Sequence, residues 1–157
     1  MNNTISYCPA LTEDDFDNAK QLFQEYALSI GINLEFQQFE KELQIIKEMY
    51  GPPSGGIILV KSDENFMGCI GIRKISDTVG EIKRMYIKPA YQKRGLGREL
   101  LYKALELAKS CGYNTIRLDT LQDMVPAIRL YKEAGFYEIP AYYFNPMATA
   151  VYFEKQL

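Results

Sequence analysis

The sequence predicts an α/β fold of the α+β kind, a mixed and mostly antiparallel sheet with helices on its faces. Three observations carry that expectation. Stretches with apolar residues every three or four positions alternate with short β-branched or aromatic runs, three such runs follow one another in the middle of the chain, and the C-terminal stretch reads as an aromatic hairpin. A length of 157 residues, with 47% hydrophobic and 24% charged side chains, matches one globular domain spanning 1–157, and no repeat, low-complexity tract or linker divides it.

In chain order, "ISYCPA" predicts a short strand. Thr12 and Asp15 have capping-box spacing, and Phe16, Ala19, Leu22, Phe23, Tyr26 and Ile30 form one apolar stripe, so a helix is predicted from about 13 to 29 with Gly31 as its stop. "FQQFEKELQIIKEMY" predicts a second helix running to Gly51 and the proline pair Pro52–Pro53. "GGIILVKS", "NFMGCIGIRKI" and "VGEIKRMYIKP" predict three successive strands separated by Asp, Asn, Ser and Thr turns. Leu96, Leu100, Leu101, Ala104, Leu105 and Ala108 mark a long amphipathic helix, with Gly112 just past its end. "TIRLDT" is a strand and "PAIRLYKEAG" a helix with Pro126 in its first turn and Gly135 as its C-terminal signal. "FYEIPAYYFNP" and "TAVYFEKQL" close the chain as the hairpin, its turn at Asn145–Pro146.

Composition narrows the function classes. A formal charge of −2 provides no global basic field, which argues against nucleic acid as the main partner. No apolar run approaches the ~20 residues of a spanning helix, so no membrane partner is expected. The first residues show neither a basic region nor an apolar core of the secretory kind. Cys8, Cys69 and Cys111 are widely spaced and form no C-x-x-C pair, so neither a disulfide framework nor a metal site is predicted, and a reducing cytoplasm fits best. The chain has no histidine, which excludes Ser-His-Asp and Cys-His nucleophile activation. Any acid or base must be Asp, Glu, Tyr, Lys or Cys.

The segment "YQKRGLGREL" places two glycines among basic residues at the start of the long helix. A helix start leaves N–H groups without partners and carries roughly +0.5 charge from aligned peptide dipoles. Gly95 and Gly97 remove the Cβ atoms that would hold a phosphate away, while Lys93, Arg94 and Arg98 add positive charge. A pyrophosphate is the natural guest. The Rossmann loop G-x-G-x-x-G fails at Leu100, and a Walker A loop is absent. The competing reading is a plain glycine-containing helix cap with solvated basic neighbours.

What remains, Gln92-Lys93-Arg94-Gly95-Leu96-Gly97 between a strand and a helix, resembles the acyl-CoA pyrophosphate loop of the GNAT superfamily of N-acetyltransferases. The resemblance extends from about Gly68 to Phe153 and includes "LYKEAGF", similar to that family's second motif. It implies acetyl-CoA as co-substrate, held by Gln92, Lys93, Arg94, Gly95, Leu96, Gly97 and Arg98, with the backbones of Met85 and Ile87 pairing the pantetheine arm and polarising the thioester carbonyl. Family members often carry Asn seven residues before the motif tyrosine; this chain has Met124.

Acyl transfer to an amine requires removal of a proton, because an alkyl ammonium of pKa ~10.4 is neutral in only about one molecule in 2,500 at pH 7, a cost of ~4.6 kcal/mol. The departing sulfur benefits from an acid nearby. The resemblance implies Glu81 as general base and Tyr131 as general acid. Strand alternation places Glu81 on one face with Lys83, Met85 and Ile87. The competing readings are a Glu81 carboxylate paired with Lys83 or Arg73, with Asp119 or Asp123 as base, and a Tyr131 packed beside Met124, Ala127 and Ile128. Cys69 and Cys111 read as structural cysteines, so direct transfer is expected over an acyl-enzyme.

By the family pattern the acceptor, a primary amine of a small molecule or peptide, lies between residues 31–36 and the aromatic segment Tyr142 to Phe144, although those aromatics also suit a sheet surface. Glu35 and Glu40 are candidates to attract a cation. Two other classes compete, a non-catalytic acyl-CoA-binding or sensing domain, and a nucleotide- or nucleic-acid-binding module using "KRGLGR". A monomer or homodimer is expected.

Overall fold

The computed structural model describes residues 4–31 and 33–157. Seven strands form one sheet: β1 (Ser6–Pro9), β2 (Gly56–Ser62), β3 (Asn65–Lys74), β4 (Val79–Ile87), β5 (Thr115–Leu121), β6 (Tyr137–Ile139) and β7 (Ala150–Gln156). Their order is β1-β2-β3-β4-β5-β7-β6, and every pairing is antiparallel except β4 with β5. Helix α1 (Glu13–Ile30) starts as its residues dictate: the Thr12 hydroxyl accepts from the Asp15 N–H at 3.0 Å, the Asp15 carboxylate accepts from the Thr12 N–H at 3.1 Å, and Gly31 stops it in the left-handed region.

The second predicted helix is interrupted. A 3₁₀ turn, Leu34–Gln37, precedes α2 (Phe39–Gln44) and α3 (Ile46–Met49). Gln38 has φ 55° and Ile45 has φ −114°, ψ 30°, both outside the helical region. Packing of Phe39, Leu43, Ile46 and Tyr50 against the sheet outweighs the segment's helix propensity. Helices α4 (Leu96–Ser110) and α5 (Val125–Glu133) match their predicted stripes and caps.

Alternation along β2 and β3 distributes two cores. Ile58, Val60, Ile70 and Ile72 meet α4 and α5 on one face. Ile57, Leu59 and Cys69 meet α1, α2 and α3 on the other.

Strand β4 departs from simple alternation. Its register against β3 runs Glu81↔Arg73, Ile82↔Ile72 and Lys83↔Gly71, then resumes at Tyr86↔Cys69, so Arg84 and Met85 together oppose Ile70. Arg84 occupies the left-handed region at φ 59°. This bulge reverses side-chain parity. Ile82, Met85 and Ile87 face the α4–α5 core, whereas Tyr86 faces the other. Glu81 and Lys83 are therefore on the opposite face from Met85 and Ile87, which corrects the single-face expectation.

The Arg84 side chain is buried on the α2 side, donating to Glu42 through Nε at 2.9 Å and through a terminal nitrogen at 3.0 Å, with its guanidinium carbon 5.2 Å from the Phe39 ring centroid. The Arg84 carbonyl accepts from the Cys69 thiol at 3.3 Å, which fixes the bulge from both ends. Parallel pairing of β4 with β5 comprises three rungs, Val79↔Thr115, Gly80↔Ile116 and Glu81↔Arg117. Beyond them a cleft opens, lined by Ile82 to Met85 on one side and Leu118 to Leu121 on the other.

The terminal hairpin also differs from its expected form. β6 is three residues long, and residues 140–149 form a loop instead of continuing the strand. Tyr142 and Tyr143 lie in that loop because their hydroxyls turn back to carboxylates of β4 and β5.

Removing one member of a buried ion pair leaves an uncompensated charge. Glu42→Ala is expected to lower unfolding free energy in urea by about 3–5 kcal/mol, and Glu42→Ala/Arg84→Met by less than the sum of its single changes.

Candidate active site

The predicted cofactor residues largely converge. Met85 and Ile87 of β4, together with Gln92, Lys93, Gly95, Leu96 and Gly97, line a cavity of about 440 Å³ whose far wall is Met124, Pro126, Ala127 and Leu130. Gly95 caps α4 at φ 79°, a conformation costly for residues with a Cβ. Gln92 supports the loop by donating its side-chain N–H to the Ile87 carbonyl at 2.9 Å. Arg94 and Arg98 are not among the lining residues. The Arg94 guanidinium lies 5.7 Å from the Tyr91 ring centroid, and Arg98 donates to Glu133 at 2.5 Å on the surface.

A second cavity, of about 70 Å³, occupies the cleft between β4 and β5. Tyr131 lines it from α5 and is buried, with its hydroxyl donating to the Met85 sulfur at 3.6 Å. Its ring meets Phe136 edge-on at 5.7 Å between centroids. Tyr131 therefore lines the smaller cavity and touches Met85, which lines both.

Glu81 is placed differently. It is 2% exposed and lines neither cavity. One oxygen accepts from Arg73 Nε at 2.7 Å and the other from the Tyr142 hydroxyl at 2.5 Å. Asp119 on β5 does line the smaller cavity. Its carboxylate accepts from Lys83 Nζ at 3.4 Å and from the Tyr143 hydroxyl, and Lys83 also donates to Gln37 at 3.2 Å. Lys83 and Gln37 were missed by sequence reasoning. The available signal was charge density: "EIKR" carries three charges in four positions, more than a strand enclosed on both faces can hold without buried partners.

The aromatic segment stands behind this wall, which the same loop lines with Asn145 and Met147. Tyr142, Tyr143 and Tyr152 meet edge-on at centroid separations of 5.4 to 5.7 Å, while Phe144 is exposed. From the other side, Ile30, Leu34 and Gln37 reach the smaller cavity. Of the expected acceptor segment 31–36, Ile32 and the Phe36 side chain lie outside the described residues; Glu35 and Glu40 are exposed. Burial pushes the Cys69 and Cys111 thiols up, which disfavours the thiolate a covalent acyl carrier needs.

A family model described as the acetyltransferase (GNAT) family matches residues 16–136. An uncharacterized N-acetyltransferase of Schizosaccharomyces pombe is 35% identical over 158 residues, covering 99% of this chain and 96% of the relative. The crystal structure of an acetyltransferase from Streptococcus agalactiae superposes with a TM-score of 0.79 at 20% identity, covering 98% of each chain. That of the PaiA N-acetyltransferase from Thermoplasma acidophilum, in complex with coenzyme A, superposes with a TM-score of 0.72 at 16% identity, covering 98% of this chain and 99% of that one. The structural likenesses establish the shared fold.

Burial raises the phenols of Tyr131, Tyr142 and Tyr143 above their ordinary value of 10.0, and for the last two the facing carboxylates Glu81 and Asp119 add to it. The folded chain therefore holds these protons to higher pH than the unfolded chain, whose tyrosines titrate near 10, so their contribution to stability is complete below about pH 10 and falls above it. Urea midpoints measured across that range are expected to decline on the alkaline side, and Tyr142→Phe with Tyr143→Phe to flatten the decline.

Proposed function

The chain belongs to the acetyltransferase (GNAT) family, and on that premise we propose that it transfers an acetyl group directly from acetyl-CoA to a primary amine of a small molecule or peptide. One observation carries this reading: a single cavity joins the start of α4 to the β4 edge at Met85, whose sulfur accepts from Tyr131. The N–H groups of the first turn of α4, with Lys93, suit a pyrophosphate. Along Met85 to Ile87, β4 has no β5 partner, so its backbone is available to an extended amide-bearing arm as another strand would be. Arg94 and Arg98 flank Gly95–Gly97 in sequence without lining the cavity, and Arg98 is paired with Glu133.

Tyr131 acts as the acid. Its raised phenol stays protonated at every working pH and presents an O–H to the leaving sulfur. Because a phenol is a weaker acid than a thiol, with ordinary values near 10 and 8.5, its main contribution is a hydrogen bond to developing thiolate charge. For the base, Glu81 is the carboxylate the resemblance implies and Asp119 the one that faces the cavity. The geometry favours Asp119 because it lines the cavity and Glu81 does not; both carboxylates already accept hydrogen bonds, Glu81 from Arg73 and Tyr142 and Asp119 from Lys83 and Tyr143. This reading includes an acceptor amine, a monomer or homodimer, and a cytoplasmic setting.

Calorimetry with acetyl-CoA tests the cofactor assignment. A Cβ at Gly97 would lie 3.4 Å from the Met85 side chain and 3.6 Å from Leu130, ordinary contacts, so Gly97→Glu is expected to fold yet lose binding. No binding by the folded wild type would refute the reading. An amine screen following thiol release then tests catalysis: Tyr131→Phe is expected to slow turnover by about 10²–10⁴-fold with acetyl-CoA affinity retained. With the same amine, Asp119→Asn should cost more than Glu81→Gln if the base faces the cavity, and the reverse order would return that role to Glu81. Binding without thiol release for any amine would favour an acyl-CoA sensor.

A further inference from the structure

Four residues, Tyr26, Met85, Met124 and Ala127, belong to the walls of both cavities and form the neck between them. Three have settled roles. The Tyr26 ring packs edge-on to Tyr86 at 6.2 Å between centroids, the Met85 sulfur accepts the Tyr131 hydroxyl, and Ala127 has no side chain beyond Cβ. Met124, like Met85 a long, unbranched side chain, lines both cavities from the α5 side. It is held there by the hydroxyl of buried Thr120, which donates to its sulfur at 3.4 Å.

The space beyond the neck is small. At about 30 Å³ per water-sized group, 70 Å³ holds about two such groups. The methyl and carbonyl of an acetyl group take up that room. Each added methylene of a longer acyl chain presses on Met124.

Resting on the acetyltransferase reading above, we propose that Met124 sets the acyl-chain length, confining the site to short acyl groups by taking up room beside the neck that a longer chain would need. Truncating Met124 frees that room and admits a butyryl thioester.

The test is calorimetric binding of CoA, acetyl-CoA and butyryl-CoA to the full chain and to Met124→Ala, with thiol release to water as a second readout. CoA itself ends at the sulfur and serves as the reference in each protein: Met124 also lines the cofactor cavity, so acyl-CoA affinities are read relative to CoA, and circular dichroism reports that the variant is folded. Wild type is expected to bind butyryl-CoA at least about tenfold more weakly than acetyl-CoA, the lower end of what a misplaced methylene costs in a tight pocket, and Met124→Ala to bring the two within about threefold. The converse variant, Ala127→Leu, narrows the same neck and should weaken acetyl-CoA relative to CoA. An unchanged butyryl-to-acetyl ratio in a Met124→Ala protein that still binds CoA overturns the proposal. Failure of the wild type to bind CoA or acetyl-CoA is a different result, which removes the acetyltransferase reading itself and the inference with it.

Discussion

The buried fork between Arg84 and Glu42 is the interaction on which the rest of the site depends. A non-glycine residue at φ 59° inside a strand is unfavourable by about 1–2 kcal/mol, and it persists only where its surroundings hold it. Here the surroundings are two charge-assisted hydrogen bonds, the Phe39 ring and the Cys69 thiol on the Arg84 carbonyl. The bulge they maintain turns Met85 and Ile87 toward α4 and α5 and ends β4's partnership with β5. Without it, regular alternation would send Met85 to the other face and away from Tyr131.

Matched charges stand at the cleft and behind its walls, with Lys83 and Asp119 lining it directly. Arg73 with Glu81, Lys83 with Asp119, and Arg117 with Glu154 each pair across or along the sheet. Tyr142 and Tyr143 donate to two of those carboxylates, and the Arg117 guanidinium lies 5.5 Å from the Tyr142 ring centroid. Such networks are costly when half satisfied and rigid when complete. Their completeness here pins the 140–149 loop, so a segment with little regular structure still supplies a defined wall.

Sequence legibility followed the range of the forces involved. Helix caps, apolar stripes and the Gly95–Gly97 start of α4 are written in neighbouring residues, and those elements lie where the sequence places them. The bulge at Arg84 is not so written, because nothing in "EIKRM" marks a positive φ; it depends on Glu42, distant in the chain. That one omission misplaced Glu81 relative to Met85. The hairpin failed for a similar reason. Aromatic residues suit strands, but the hydroxyls of Tyr142 and Tyr143 serve Glu81 and Asp119, partners no local pattern reveals. The sequence named the residues around the glycine loop and, in the cleft, Tyr131 and Asp119; it did not name Gln37 or give Lys83 a place in the cleft.

Backbone pairing joins β4 to β5 over three rungs, with the Lys83–Asp119 pair beyond them, and that seam divides the sheet into a four-strand and a three-strand half. A molecule lodged between the halves and bonded to the β4 edge does more than occupy a site: it lengthens the seam. Its binding energy then enters the folding equilibrium by mass action, about 2.7 kcal/mol when the free ligand stands at a hundred times its dissociation constant. A co-substrate seated there as proposed would serve as mortar as well as reactant.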